Sequence, residues 1–281
     1  MRREDLPRYT AGAQTQTTQV STDWSFQHAD WPAEAIREAV APVLPGFTVE
    51  VLPEIASTNG ELMRRARSGY LEPVLLVAER QSAGRGRLGR SWLGDAGRSL
   101  TFSLGLPLAP VDWSGLSLAV GVGLAESLHP SIQLKWPNDL WLADRKLAGV
   151  LIETGSFGGG GGIRRYAVIG VGLNIAAREA AGLATAPAWL QELLPEVQPG
   201  QALMRVALPL VRAVQAFETF GFAPFQARFN ARDALRDRAV VLSDGTAGTA
   251  HGASEDGALR VHTARGVSTV SSAEVSVRPQ A

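Results

Sequence analysis

Three arginines alternate with three glycines in one stretch of this sequence. The stretch from Glu79 to Trp92 reads E-R-Q-S-A-G-R-G-R-L-G-R-S-W. Glycine lets the backbone pass close to a ligand, and the planar donor fork of arginine matches a carboxylate or a phosphate. The apolar runs Val74–Ala78 and Leu100–Leu106 flank the stretch and predict buried strands. The pattern therefore predicts an ordered anion site at a sheet edge, where the indole of Trp92 offers a stacking surface for a base.

The same residues exclude two familiar nucleotide loops. The stretch contains no G-x-x-x-x-G-K-[ST] pattern and is not a P-loop. A dinucleotide fingerprint would open a helix, whereas Arg90 and Ser91 lead to Trp92 and a turn signal at Gly94-Asp95. The alternative is a solvated basic loop, or an arginine–glycine arm that touches nucleic acid. The apolar segments on both sides favour the ordered site.

A second polar cluster, Ser57-Thr58-Asn59, opens a predicted helix. Thr58 and Glu61 have the spacing of a capping box, so Ser57 or Thr58 can serve simply as a helix cap. Alternatively, the side chains and free N–H groups at the helix start bind a polar ligand. The two interpretations are compatible, because one hydroxyl can cap the helix while its neighbour faces a pocket.

A third cluster combines K-W-P-N-D at Lys135–Asp139 with the segment that begins at Asp144-Arg145. Turn signals at both places predict a meander that brings Lys135, Asn138 and Lys146 to one end of the sheet. The lysine ammonium group is a compact charge suited to a phosphoryl oxygen. For any single lysine, a surface position at a hairpin end is the simpler explanation.

The run G-V-G-L-N-I, from Gly170 to Ile175, ends another predicted strand. Its paired glycines allow the backbone to approach a ligand closely. Asn174 offers one acceptor and two donor hydrogens, enough to read the edge of an adenine. A turn asparagine at a strand end is an equally good interpretation of these residues.

Helices and strands must hold these polar groups, and the apolar periodicity predicts both. The predicted helices are Trp31–Leu44, Ser57–Arg67, Trp113–Leu128, Ala202–Phe220 and Phe222–Asn230, and further strands are predicted at Phe47–Ile55, Ile132–Trp136, Leu140–Leu142 and Tyr166–Val171. A flexible hairpin loop is expected at Gly155–Gly162. From Ala239 onwards, short β-type runs separated by Asp-Gly turns predict a small β barrel of SH3-like size.

The composition of the sequence excludes further classes of function and types of site. The 281 residues carry 27 basic and 27 acidic side chains, so a surface built wholly for DNA is not expected. The sequence has no cysteine, which excludes disulfides, thiolate metal sites and a cysteine nucleophile. No apolar run approaches the roughly 20 residues of a membrane span, and the polar N-terminus lacks the apolar core of a signal peptide. These features predict a cytoplasmic protein without a membrane partner.

Four of these stretches together resemble biotin–protein ligases, and they occur in the family's order. They are Ser57-Thr58-Asn59, the G-R-G-R-x-G-R core of the loop, K-W-P-N-D followed by R-K-L-A-G-V-L-I-E, and G-V-G-L-N-I. The resemblance implies an α+β fold with a mixed, largely antiparallel sheet and packed helices, related to class II aminoacyl-tRNA synthetases, plus a small C-terminal SH3-like β barrel. The polar, non-periodic composition of residues 1–28 predicts a disordered tail. The resemblance implies a catalytic domain at 29–235 and the small domain at 236–281.

The resemblance also implies a reaction in two steps. ATP, with Mg²⁺ present, adenylates biotin to biotinyl-5′-AMP, and a lysine of a biotin carboxyl carrier protein domain of a carboxylase then takes the biotin. Arg87 and Lys146 would be the catalytic residues. The biotin-binding residues would be Ser57, Thr58, Asn59, Gln81, Arg85, Gly86, Arg87, Lys146, Gly170 and Gly172, and the ATP-binding residues would be Arg87, Arg90, Trp92, Asn138, Lys146 and Asn174. Metal ligands are not assigned, although Lys135, Asn138 and Asp139 form a candidate phosphate and metal neighbourhood.

Some family members carry an N-terminal DNA-binding domain, whereas only 56 residues precede Ser57 here. No helix–turn–recognition helix with a basic face is seen, so we expect a ligase without a DNA partner. The resemblance also allows a homodimer.

Lipoate or octanoate transfer on a related fold is the first alternative function. A nucleic-acid-binding module that uses the arginine loop and the β barrel is the second.

Overall fold

The computed structural model describes residues 31–92, 94–159, 162–177, 187–271 and 277–279. The tail predicted to be disordered, residues 1–28, lies outside these ranges. In chain order the elements are α1 (Ala33–Val40), β1 (Thr48–Ile55), α2 (Thr58–Arg67), β2 (Val74–Gln81), β3 (Ser99–Pro107), α3 (Leu116–Leu128), β4 (Gln133–Lys135), β5 (Asp139–Leu142), β6 (Arg145–Gly159), β7 (Gly162–Asn174), α4 (Pro199–Phe220), α5 (Ala223–Asn230), β8 (Ala239–Leu242), β9 (Ala247–Ala253), β10 (Leu259–Thr263), β11 (Gly266–Val270) and β12 (Val277–Pro279). Within the described part of the chain, no helix combines the length and apolar character needed to cross a bilayer.

The larger sheet has seven strands in the order β1-β2-β3-β7-β6-β5-β4. Strands β1 and β2 are parallel, because α2 carries the chain back between them. All other neighbours in this sheet are antiparallel. The predicted mixed, largely antiparallel sheet is therefore confirmed. The long β6–β7 hairpin differs from the prediction, since pairing continues to Gly159 and Gly162 and residues expected in a loop from Gly155 onwards belong to strand β6.

Helices cover both faces of this sheet. On one face α2 packs over a small apolar cluster that includes Leu62, Leu76 and Val168. On the other face α3 and α4 pack over the main core. Helix α3 has little side-chain bulk at its contacts: a Cβ added at Gly123 would lie 3.1 Å from the Cβ of Ala213 on α4. The glycines that weaken α3 as an isolated helix thus allow it to pack closely against α4.

The C-terminal strands form a second sheet, antiparallel throughout, in the order β11-β10-β9-β8-β12. This sheet agrees with the predicted small β domain, and its buried residues join the main core rather than forming a separate one. The indole Nε1 of Trp136 donates to the carbonyl of Gly257 at 3.1 Å. Asn230 bonds the backbone of Ala253 through both ends of its amide. The boundary at residues 235/236 stays a prediction.

Asp233 lies at the junction between the two sheets, next to Leu134 on β4. It is 8% exposed, its Oδ1 accepts the N–H of Leu235 at 2.9 Å, and its Oδ2 has no partner among the described residues. Burial raises the pKa of this carboxyl to about 6 from its ordinary 3.8. Between these two values the folded chain holds a proton that the unfolded chain has lost. The unfolding free energy should therefore fall as pH rises from about 4 to about 6.

We expect Asp233→Asn to remove this pH-dependent loss, because the amide cannot ionise. At pH 8 the variant should gain up to about 3 kcal/mol of unfolding free energy, and the gain should vanish near pH 4. Urea unfolding curves across this range measure it. Asp112→Asn is the matched control, since exposed Asp112 accepts the N–H of Ser114 at the same 2.9 Å and in the same i to i+2 geometry. A pH profile for Asp233→Asn parallel to that of the wild type would contradict the assignment.

Candidate active site

A cavity of about 150 Å³ lies where α2 begins, between strands β3, β6 and β7 and the arginine–glycine loop. Its walls include every residue assigned to biotin or ATP binding except Asn174. These residues are Ser57, Thr58, Asn59, Gln81, Arg85, Gly86, Arg87, Arg90, Trp92, Asn138, Lys146, Gly170 and Gly172. Four separate stretches of sequence thus meet at one place.

One end of the cavity is closed by the start of α2. Ser57 is the N-cap, and its Oγ accepts the N–H of Gly60 at 3.2 Å. The expected capping box between Thr58 and Glu61 is wrong, because Glu61 instead accepts from Arg64 and Arg65. Thr58 is left for the cavity: its N–H donates to Gln81 Oε1 at 2.7 Å, and its Oγ1 lies 3.0 Å from the same oxygen.

The arginine–glycine loop folds back on itself beside this end. The N–H of Trp92 donates to the carbonyl of Gly84 at 2.9 Å, and the N–H of Gly86 donates to the carbonyl of Arg90 at 2.7 Å. A Cβ at Gly84 would lie 2.4 Å from the carbonyl oxygen of Trp92, so the hairpin closes only with glycine there. Leu88 adopts a φ of 56°, which marks the tight turn at the tip. The glycines therefore shape a hairpin that carries its arginines to the cavity.

The other end of the cavity is cationic. Lys146 Nζ lies 2.8 Å from Asp139 Oδ1 and 5.7 Å from the centre of the Trp92 ring. Arg87 Nη1 lies 3.4 Å from Asn138 Oδ1. Burial lowers the pKa of Arg87, against the opposing effect of Asp139, and nearby Arg90 lowers it further. A partly desolvated guanidinium beside a second cation gains from an anionic ligand, so this end suits phosphate or carboxylate oxygens.

Gly170 and Gly172 of β7 make room for side chains from other elements. A Cβ at Gly170 would lie 2.2 Å from Asn59 Oδ1, and one at Gly172 would lie 2.2 Å from an atom of the Trp92 indole. Gly149 on β6 likewise faces the Lys146–Asp139 pair, since a Cβ added there would lie 3.0 Å from Lys146 Nζ. Gly170 and Gly172 therefore leave space for these side chains, and their expected backbone role at the ligand stays a prediction.

The structure does not bring Asn174 to the cavity wall. Its side chain is 2% exposed, and its Nδ2 donates to the carbonyls of Ala188 at 3.0 Å and Lys146 at 3.3 Å. Lys135 also lies apart from the cavity lining, with its Nζ 5.1 Å from the centre of the Trp141 ring. The sequence placed both residues near the ligand because it gives their distance along the chain and not the direction of their side chains.

Sequence reasoning missed the polar side chains of β3. Thr101 lines the cavity, and Ser103, fully buried behind it, bonds Thr58 and Asn59. A signal was present, because polar residues recur at every second position in the apolar run Leu100–Leu106. Such a pattern indicates that one face of the strand meets a polar environment.

Comparison with known proteins gives consistent matches. The model of the biotin/lipoate A/B protein ligase family matches residues 53–174. The bifunctional ligase/repressor BirA of Escherichia coli is 38% identical over 229 residues, which make up 77% of this chain and 70% of that protein. The biotin–[acetyl-CoA-carboxylase] ligase of Paracoccus denitrificans is 35% identical over 240 residues, 80% of this chain and 98% of that protein.

Solved structures of similar fold include biotin protein ligase from Aquifex aeolicus. Its complex with biotin and ATP has a TM-score of 0.69 and 27% identity, covering 83% of this chain and 99% of that one. A mutant of the same ligase in complex with biotin has a TM-score of 0.71 and 26% identity, covering 83% of this chain and 98% of that one.

Proposed function

Because this chain belongs to the biotin/lipoate A/B protein ligase family, we propose that it adenylates biotin with ATP and transfers the biotin to a lysine of a carrier protein. Two of its relatives are named biotin–[acetyl-CoA-carboxylase] ligases, and the similar Aquifex aeolicus structure holds biotin and ATP. The observation that carries the proposal is the cavity itself. It joins a closed, hydrogen-bonding end to a cationic end, as a ligand with a polar ring and a distant carboxylate requires.

In the first step an oxygen of the biotin carboxylate attacks the α-phosphorus of ATP. An O–P bond forms, the bond to pyrophosphate breaks, and biotinyl-5′-AMP results. Both reactants are anions, so the enzyme must neutralise charge and align the carboxylate with the phosphorus. Lys146 and Arg87 suit this role because they lie at the cationic end of the same cavity. Arg90 extends the positive charge towards the nucleotide.

In the second step a lysine amine of the carrier attacks the carbonyl carbon of the mixed anhydride. An amide bond forms, AMP leaves with the electrons of the broken C–O bond, and the amine loses a proton. No enzyme nucleophile is needed in either step, in keeping with a sequence without cysteine. The partner class proposed is the biotin carboxyl carrier domain of a carboxylase, as in the names of the relatives.

The cavity residues fit Mg²⁺ as a companion of the nucleotide. Among the described residues no group of three acidic or histidine side chains could hold a metal ion by itself. Mg²⁺ commonly binds through one or two carboxylates together with substrate phosphates. Asp139 is a carboxylate in the cavity wall and would be the protein ligand. The ion would supply charge neutralisation at the phosphates.

Lipoate transfer, the first alternative, would also be a function of this family. Lipoate and biotin differ in the ring that would occupy the closed end of the cavity. Lipoate carries a dithiolane ring without N–H or C=O groups, whereas biotin carries a ureido ring with both. Ser57, Thr58 and Asn59 line this end of the cavity, and a dithiolane would offer their polar atoms no hydrogen bond, at a cost in affinity relative to biotin. This favours biotin. Activity without DNA binding, a homodimeric assembly and a cytoplasmic location remain parts of the proposal.

ATP–pyrophosphate exchange tests the proposal directly. Radiolabelled pyrophosphate should enter ATP when biotin and Mg²⁺ are present, and not with lipoate or without an acid. Exchange with lipoate alone would keep the phosphate chemistry and overturn the biotin assignment. A folded sample that exchanges with neither acid would reject adenylation, and an oligonucleotide gel shift would then test the nucleic-acid alternative.

A further inference from the structure

A chain of hydrogen bonds runs behind the closed end of the cavity and ends on a carboxylate. Asn59 Nδ2 donates to Glu153 Oε2 at 2.9 Å and lies 3.3 Å from the carbonyl oxygen of Leu151. An ionised carboxylate and a carbonyl can only accept hydrogen bonds. The Asn59 amide must therefore turn its nitrogen towards β6 and its oxygen towards β3.

Ser103 on β3 is the next link. Its Oγ lies 2.6 Å from Asn59 Oδ1 and 2.7 Å from Thr58 Oγ1. Because Asn59 Oδ1 cannot donate, the hydroxyl hydrogen of Ser103 lies on the first of these contacts. The Ser103 side chain is fully buried, at 0% exposed, so bulk solvent cannot offer it another partner.

Thr58 and Gln81 complete the chain at the cavity wall. Gln81 Oε1 accepts the backbone N–H of Thr58 at 2.7 Å, which fixes the orientation of that amide. The single hydroxyl hydrogen of Thr58 has two oxygen neighbours, Ser103 Oγ and, at 3.0 Å, Gln81 Oε1. Three oxygen–oxygen contacts thus share two hydroxyl hydrogens. One of the three contacts therefore has no hydrogen between its oxygens. The closed end of the cavity presents oxygen acceptors that a ligand with N–H groups can satisfy.

We propose that Glu153 is a positioning residue that fixes the direction of this chain, and so selects a ligand whose buried end carries N–H donors. The inference rests on the proposed function and refines it, because the ureido ring of biotin supplies such donors. Glu153 lies outside the cavity lining and acts through Asn59. Without the Glu153 carboxylate, one Asn59 N–H loses its partner, and the orientation of the amide that accepts the Ser103 hydrogen bond is less firmly fixed.

Binding of biotin without ATP, measured by isothermal titration calorimetry, tests the assignment. Glu153→Ala should weaken biotin roughly tenfold or more, the range expected when a buried donor loses a charged partner. Glu153→Gln keeps an oxygen for Asn59 and should restore most of the affinity. Glu79→Ala is the matched control, because Glu79 is another half-buried strand glutamate that accepts one side-chain N–H, that of Trp31 at 3.0 Å.

Two kinetic readouts separate positioning from general loss of structure. In pyrophosphate exchange, Glu153→Ala should raise KM for biotin and leave KM for ATP unchanged. Desthiobiotin keeps the ureido ring but lacks the sulfur. Its affinity should fall from wild type to Glu153→Ala by the same factor as the affinity for biotin. If Glu153→Ala fails to fold, Ser103→Ala breaks the same chain by removing one oxygen, and it should show the same effect on biotin.

Equal biotin affinity in wild type, Glu153→Ala and Ser103→Ala would overturn the inference. An equal loss of biotin affinity in Glu153→Gln and Glu153→Ala would also overturn the inference, because the acceptor oxygen that Gln keeps would then have no effect. Failure of the proposed function has a different signature, because the wild-type protein would neither bind biotin nor exchange pyrophosphate.

Discussion

Replacing Lys146 by alanine should reduce biotin-dependent pyrophosphate exchange by roughly 10²- to 10³-fold, the usual effect of removing a charge that stabilises a developing anion. Lys146 Nζ is held at the cavity by Asp139 Oδ1 at 2.8 Å, where it can meet the α-phosphate and the biotin carboxylate. Its removal also breaks the ion pair with Asp139, so the positive charge at this end of the cavity falls. Because 42% of the Lys146 side chain is exposed, the melting temperature should change little.

Lys135→Ala provides a matched control for this experiment. Lys135 and Lys146 are the two lysines of the sequence, and both lie in the K-W-P-N-D to R-K-L-A-G region. Lys135 projects over the ring of Trp141, so its loss should leave exchange near the wild-type level. Equal losses in the two variants would indicate a general effect of positive charge. A folded Lys146→Ala enzyme with wild-type exchange would contradict the site assignment.

Replacing Arg87 by alanine should also reduce exchange, by about 10²-fold, and it should not destabilise the free protein. The guanidinium is partly buried beside Arg90, and burial lowers its pKa, so the free protein bears a desolvation cost that an anionic ligand offsets. Arg87→Lys keeps the positive charge but loses the planar pair of donors, so its exchange rate should lie between those of the wild type and Arg87→Ala. Exchange rates and thermal melting on the same samples measure both effects.

Arg80→Ala is the control for Arg87. Arg80 is an exposed arginine near the end of β2, the strand that leads into the arginine–glycine loop, and it pairs with Glu54 at 3.4 Å on the surface. Surface pairs of this kind contribute little to stability, and the variant should match wild type in both assays. An Arg87→Ala protein that melts well below wild type would show that the guanidinium is structural, and the catalytic role would then have to be withdrawn.

The sequence by itself determined which residue types meet at the site. Local spacing carried this information: glycines alternate with arginines in the loop, Ser57-Thr58-Asn59 begins a helix, and the glycines of β7 occur at alternate positions. Each of these patterns constrains the backbone over a few residues, and apolar periodicity places each on a strand end or a helix start. The four polar clusters follow from these short-range rules, whereas the mixed sheet and the proposed chemistry come from the resemblance to biotin–protein ligases that the clusters carry together.

Tertiary structure alone decided which side chains line the cavity. Asn174 turns into the protein, and Ser103 and Glu153 join the site through contacts 44 and 94 residues away from Asn59. Between β5 and β6 the register shifts, since Leu140 pairs with Ala148 while Trp141 pairs with Lys146. One added residue reverses the side-chain alternation of a strand. A sequence specifies that alternation, but the pairing of distant strands fixes which face becomes the wall of the cavity.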